Sequence, residues 1–122
     1  MQLWYNEIMK IVDAKTDKAE LLNTAETIFD GAMIKAVVDV KKKVIAVDAQ
    51  LHADLEHLLL EHESNQADLW GINLWCDSED LEDLIEFDSM INVRPRQNNR
   101  SRYVEDERIR TQITEVVQKW IK

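Results

Sequence analysis

The chain has 122 residues, 45 % of them hydrophobic, and carries 24 acidic against 15 basic side chains, a formal net charge of −9. One ordinary core fits that length, and with only two glycines and one proline the composition excludes collagenous, low-complexity and linker-rich chains. No apolar run approaches the roughly 20 residues needed to span a bilayer, and the excess of acid disfavours general association with nucleic-acid phosphates.

The first ten residues, MQLWYNEIMK, place Asn6 and Glu7 where a secretory signal needs an apolar core, so a cytoplasmic protein is expected. Residues 7 to 12, EIMKIV, read as a short edge strand. Thr16 or Asp17 can cap the next helix, Asp17 with Glu20 three residues on having the form of a capping box, and Leu21, Leu22, Ala25, Ile28 and Phe29 recur at helical spacing up to Gly31. MIKAVVDV, residues 33 to 40, and VIAV, residues 44 to 47, form a hairpin around Lys41–Lys43, with Ile34, Ala36, Val38 and Val40 on one face. Its turn lacks the usual Asn-Gly. LHADLEHLLLEHES, residues 51 to 64, fits a helix through Leu51, Leu55, Leu58 and Leu59, yet its first six residues also alternate as a strand does. A helical turn as far as Glu56 is favoured.

DLWGINLW, residues 68 to 75, alternates Trp70, Ile72 and Leu74 against Gly71, Asn73 and Trp75, and Gly71 marks a place where another backbone or a ligand passes close. IEFDSMINV, residues 85 to 93, alternates again and is expected as the last strand, closed by Pro95. Asp106 caps a final helix striped by Ile109, Ile113, Val116, Val117 and Trp120. The order predicts one α+β domain over residues 1–122. Its largely antiparallel sheet of about five strands carries two amphipathic helices on one face.

The runs MIKAVVDV, LHADLE, DLWGINLW and IEFDSMINVRPRQNNRS, with the final helix, resemble an uncharacterised family of small prokaryotic proteins, a domain of unknown function. The resemblance covers roughly residues 8 to 121. It implies a stand-alone single domain and supplies no activity. In the family's pattern a glycine often sits where this chain has Asn98 or Asn99, and another near Glu63, so non-glycine residues are expected in tight turns here.

Three constellations carry potential chemistry. His52, Asp54 and Glu56 line one face if extended, and His52 and Glu56 share a helical face at i and i+4; either way, with Asp88 from a neighbouring strand, they form a weak candidate set for a divalent metal. No established zinc spacing is present, and a solvated polar face explains the same residues. Arg94, Arg96, Arg100 and Arg102 fall within nine positions, among Asn99 and Ser101, in a chain with no lysine or arginine between Lys43 and Arg94. Guanidinium forks and a following helix start suit an anion or an acidic partner, which marks Arg94, Arg96, Asn99, Arg100 and Ser101. The competing reading is ion pairing with the acidic block of residues 48 to 88, through another strand or another chain. Trp75 and Trp4 are candidate exposed anchors, whereas Trp70 and Trp120 read as core. Cys76 sits among Asp77, Glu79 and Asp80, which disfavour its thiolate.

Phosphate loops, nucleophile elbows and CxxC are absent. The leading expectation is a non-enzymatic binding or self-assembly domain with an arginine-rich partner segment, as a homo-oligomer or with a protein partner, and without a membrane. The alternative is a metal-assisted hydrolase of a phosphate-containing substrate, with His52, Asp54, Glu56 and Asp88 on the ion and the arginines on the phosphate.

Overall fold

The computed structural model describes residues 9–25 and 33–121, with backbone alone for residues 22–25. Five antiparallel strands, β1 Lys10–Val12, β2 Met33–Asp39, β3 Val44–Val47, β4 Leu69–Trp75 and β5 Ile85–Glu86, form one sheet in the order β1-β3-β2-β4-β5. The helices are α1 Lys18–Ala25, α2 His52–Glu61, the single-turn α3 Leu81–Leu84, and α4 Glu107–Trp120. No helix among the described residues is long and apolar enough to cross a membrane.

The two faces of the sheet bury separate cores. On one, Ile34, Ala36 and Val38 of β2 and Trp70, Ile72 and Leu74 of β4 pack with Leu21 of α1 and with Ile113, Val116 and Val117 of α4. This is the expected arrangement of two amphipathic helices on one face. Asp17 caps α1 by accepting the Glu20 N–H at 2.7 Å, and Asp106 caps α4 by accepting the Arg108 N–H at 2.9 Å. Ile28, Phe29 and Gly31, expected along and after α1, lie outside the described residues, as do Trp4 and the side chains of Leu22 and Ala25.

The opposite face is covered by α2, which buries Leu55, Leu58 and Leu59 against Val37, Ala46 and Leu69. The ambiguous segment is therefore helical through Glu61, five residues beyond Glu56. Spacing at i, i+3 and i+4 places three leucines on the sheet, whereas alternation would bury only part of the run. With a core on each side, β2 and β4 read as nearly continuous apolar strands.

The turn between β2 and β3 is built by Asp39. Its Oδ1 accepts the Lys41 and Lys42 N–H groups at 2.9 and 2.8 Å, and its Oδ2 accepts the Ser64 hydroxyl at 2.6 Å. Lys43 closes the turn at φ 59°. A buried, fully hydrogen-bonded carboxylate thus does the work of the missing Asn-Gly.

The strand expected over residues 85–93 is corrected. Only Ile85 and Glu86 pair with β4, opposite Leu74 and Asn73. At Asp88 the chain turns, its N–H bonding to the Glu86 carbonyl, and Met90–Asn92 forms a 3-10 turn. Gly71 explains the departure. A Cβ there would lie 2.5 Å from the Ser89 Cβ and 3.0 Å from Ile91 Cγ1, so the bare backbone of β4 lets this segment cross over it.

Candidate functional site

Between β5 and α4, residues 87–106 form a loop held by three side chains. Past the end of β5, the Asn92 amide takes the place of a strand: its Oδ1 accepts the Gly71 N–H at 2.8 Å, and its Nδ2 donates to the Gly71 carbonyl at 2.9 Å and to the Arg102 carbonyl at 3.0 Å. Asn99, 3 % exposed, donates through Nδ2 to the carbonyls of Asn92, Ser101 and Tyr103, and accepts the Glu105 N–H on Oδ1. Backbone bonds in both directions between Arg94 and Asn99 close the tip, where Asn98 adopts φ 61°.

The third side chain is Glu105. Its Oε2 accepts the Arg100 N–H, the Ser101 N–H and the Ser101 hydroxyl, each at 2.8 Å. These bonds, the Ser101 hydroxyl foremost, hold the Glu105 carboxyl below the usual range. The donors of Arg100 and Ser101 that a ligand anion would use are thus occupied by a carboxylate of the chain itself.

The four arginines divide into two pairs. Arg94 is inward. Its guanidinium donates to the carbonyls of Gln66, in the turn before β4, and of Leu69, the first residue of β4, and lies 4.2 Å over the Trp70 ring. Burial pushes its pKa down, opposed by the charge of Glu56 on α2. Arg102 donates to Asp88 Oδ1 at 2.6 Å, an ion pair across the base of the loop. Arg96 and Arg100 are exposed, and among the described residues their guanidinium groups make no hydrogen bond or ion pair. The loop also exposes Met90, Val93 and Tyr103.

The acidic block and the arginines therefore do meet within one chain, at Asp88–Arg102 and through Glu56 near Arg94. The metal candidates do not converge. His52 is buried, and its Nε2–H donates to the Ile72 carbonyl at 2.7 Å. Burial lowers its pKa, the charges of Lys35 and Arg102 lower it further, and that of Asp88 raises it. Asp54 stands partly exposed on the first turn of α2, Glu56 faces the Arg94 side, and Asp88 is engaged with Arg102. No group of three or more His, Cys, Asp or Glu among the described residues is placed to hold a metal ion.

Sequence reasoning missed Glu105, Asn92 and Asp48. Glu105 is one acid among many, although its position four residues after Ser101 is a local signal for a capped turn. Asp48, at φ 75°, is 5 % exposed; burial raises its pKa to about 6 against the opposing charge of Lys10, and its Oδ1 has no partner among the described residues. Cys76 is buried, and desolvation, more than the expected effect of Asp77, pushes its thiol up to about 11. Trp75 is 38 % exposed, with its N–H 3.4 Å from Glu86 Oε1. Trp120 is half-buried, donating to the Lys43 carbonyl at 2.6 Å.

Compared with known proteins, the chain matches the profile of one family, described as protein of unknown function DUF5674, over residues 10–120. The chain belongs to this family. The DUF5674 match spans β1 to the end of α4 and so includes the whole arginine loop. No curated protein and no solved structure matches the chain.

Proposed function

We propose that this DUF5674 protein is a cytoplasmic, non-enzymatic binding domain that receives a carboxylate-rich protein surface on its arginine loop. The observation that carries the reading is the division of the four arginines. Arg94 and Arg102 are spent holding the loop, and Arg96 and Arg100 are left exposed on it, with no hydrogen bond or ion pair from either guanidinium among the described residues and with the charge of Arg100 acting on Glu105 without direct contact.

A loop already ordered by Asn92, Asn99 and Glu105 loses little conformational entropy on binding, so weak contacts add up to useful affinity. Exposed ion pairs contribute about 0.2 to 1 kcal/mol each, and more where a guanidinium meets a carboxylate in two parallel bonds in a drier contact. Met90 and Val93, exposed on the same loop, supply apolar area beside the charge.

The test is a titration with a glutamate-rich decapeptide at low ionic strength, followed by calorimetry. Saturable binding that weakens with salt, and that disappears in the Arg96→Glu/Arg100→Glu double variant, is the expected result. Equal heats for wild type and variant would remove the loop from the reading.

A further inference from the structure

We infer that the carboxylate-rich partner is a second copy of this chain, which seats its arginine loop in the groove between β5 and α4; the inference rests on the binding reading above. The groove has a volume of about 440 Å³. That is within the range of about 300 to 1,000 Å³ typical of binding clefts. Its apolar lining comes from Leu81 of α3, Ile85 of β5 and Phe87 just beyond it. Glu82 contributes from α3, and Glu107 and Glu115 from α4.

These three glutamates are exposed, and none forms an ion pair among the described residues. The one cation of the lining, Arg110, is already engaged: it donates to the carbonyls of Val104 and Glu105 and lies 4.9 Å over the Tyr103 ring. The available charge in the groove is therefore negative. On the other surface the available charge is the Arg96 and Arg100 pair.

The dimensions agree. Glu107 and Glu115 are eight residues apart on α4, about 12 Å along its axis. Arg96 and Arg100 are four residues apart on a closed turn, nearer together than the roughly 14 Å of an extended chain, and their long side chains make up the difference, so one loop addresses both acids. The exposed Met90 and Val93 match the apolar lining in kind.

Because the loop and the groove are different patches, the contact is head-to-tail, and it propagates into open chains or closes into a ring. Each copy carries a formal charge of −9, so long-range repulsion opposes a short-range attraction. Screening over about 10 Å at 0.1 M salt weakens the repulsion first, which predicts that association peaks at moderate salt and falls at both extremes.

The experiment is sedimentation velocity of wild type, of Arg96→Glu/Arg100→Glu, and of Glu82→Gln/Glu107→Gln/Glu115→Gln, across concentration and salt. All substituted side chains are exposed, and unchanged circular dichroism verifies the fold. Wild type is expected to grow in size with concentration, and each variant to lose at least about tenfold in association. An equimolar mixture of the two variants is expected to form dimers and nothing larger, since one keeps its groove and the other its loop. A wild type that stays monomeric throughout would overturn the inference while leaving glutamate-peptide binding, and so the binding reading, standing. A wild type that assembles while the variant mixture stays monomeric, or whose assembly survives both sets of substitutions, would place the contact elsewhere and overturn it as well.

Discussion

The carboxamide of Asn92 pairs with both the N–H and the C=O of Gly71, so one side chain extends the ladder of β4 where β5 has ended. Asn92 is fully buried, and its bonds join β4 to the returning arm of the loop at Arg102. Replacing it by aspartate keeps an acceptor for the Gly71 N–H and removes the donors to two carbonyls. Asn92→Asp is expected to cost about 2 to 4 kcal/mol, because buried groups left unpaired lose their full solvation. Chemical denaturation with an unchanged m-value checks it.

On the other side of the same contact, Gly71→Ala puts a methyl group 2.5 Å from Ser89 Cβ. Over-packing of this kind is expected to cost about 1 to 3 kcal/mol. A fall in Tm accompanied by loss of glutamate-peptide binding would show that the loop shifts with the clash, whereas an unchanged Tm would contradict the close approach.

Glu63 and Asn98 both adopt positive φ, 71° and 61°. The strain differs, since asparagine tolerates the left-handed region and glutamate does not. Glu63→Gly is expected to stabilise the fold by up to about 1 kcal/mol, the left-handed penalty exceeding the added entropy of glycine, and Asn98→Gly to change it by less than about 0.5 kcal/mol. Equal effects at the two sites in urea denaturation would contradict this ranking.

Asp48 makes stability depend on pH. Its folded pKa is raised to about 6 from an ordinary value of 3.8, so between those values the folded state holds more protons than the unfolded state. Its contribution is therefore most favourable below about pH 4 and is lost as pH rises through 6. His52, with a lowered pKa, acts in the opposite sense: acidification below its ordinary value of 6.5 destabilises the fold. The difference between wild type and Asp48→Asn isolates the first effect. Asp48→Asn is expected to be more stable than wild type at pH 7 by on the order of 1 kcal/mol, with the gain shrinking toward pH 4. A gain independent of pH, measured by urea denaturation, would contradict the assignment.

Much of the fold was legible because its signals are periodic. The alternation of Trp70, Ile72 and Leu74, and the stripe from Ile109 to Trp120, each select one face, and those faces form the larger core. The same logic over-extended β5. IEFDSMINV alternates like a strand, but Gly71 admits a crossing chain and Asn92 replaces the ladder, and a side chain standing in for backbone leaves no mark in a hydropathy pattern. The arginines and the turn-forming asparagines were visible as a cluster. Which arginines turn inward was not, because that depends on the Gln66 and Leu69 carbonyls and the Trp70 ring, some 25 residues away in sequence. Glycines of the family pointed to the turns at Glu63 and Asn98, while nothing local marked Lys43 or Asp48.

The division of labour among the arginines is tested most directly by replacing each of the four with alanine and measuring Tm and glutamate-peptide affinity side by side. Arg94→Ala is expected to lower stability by about 2 to 3 kcal/mol, since it strips the Gln66 and Leu69 carbonyls of their donor and uncovers Trp70; Arg102→Ala, which breaks an exposed pair, is expected to lower it by less than about 1 kcal/mol. Arg96→Ala and Arg100→Ala are expected to leave Tm unchanged and each weaken the peptide several-fold. The opposite pattern, with Arg96 and Arg100 needed for the fold and indifferent to the peptide, would contradict the account.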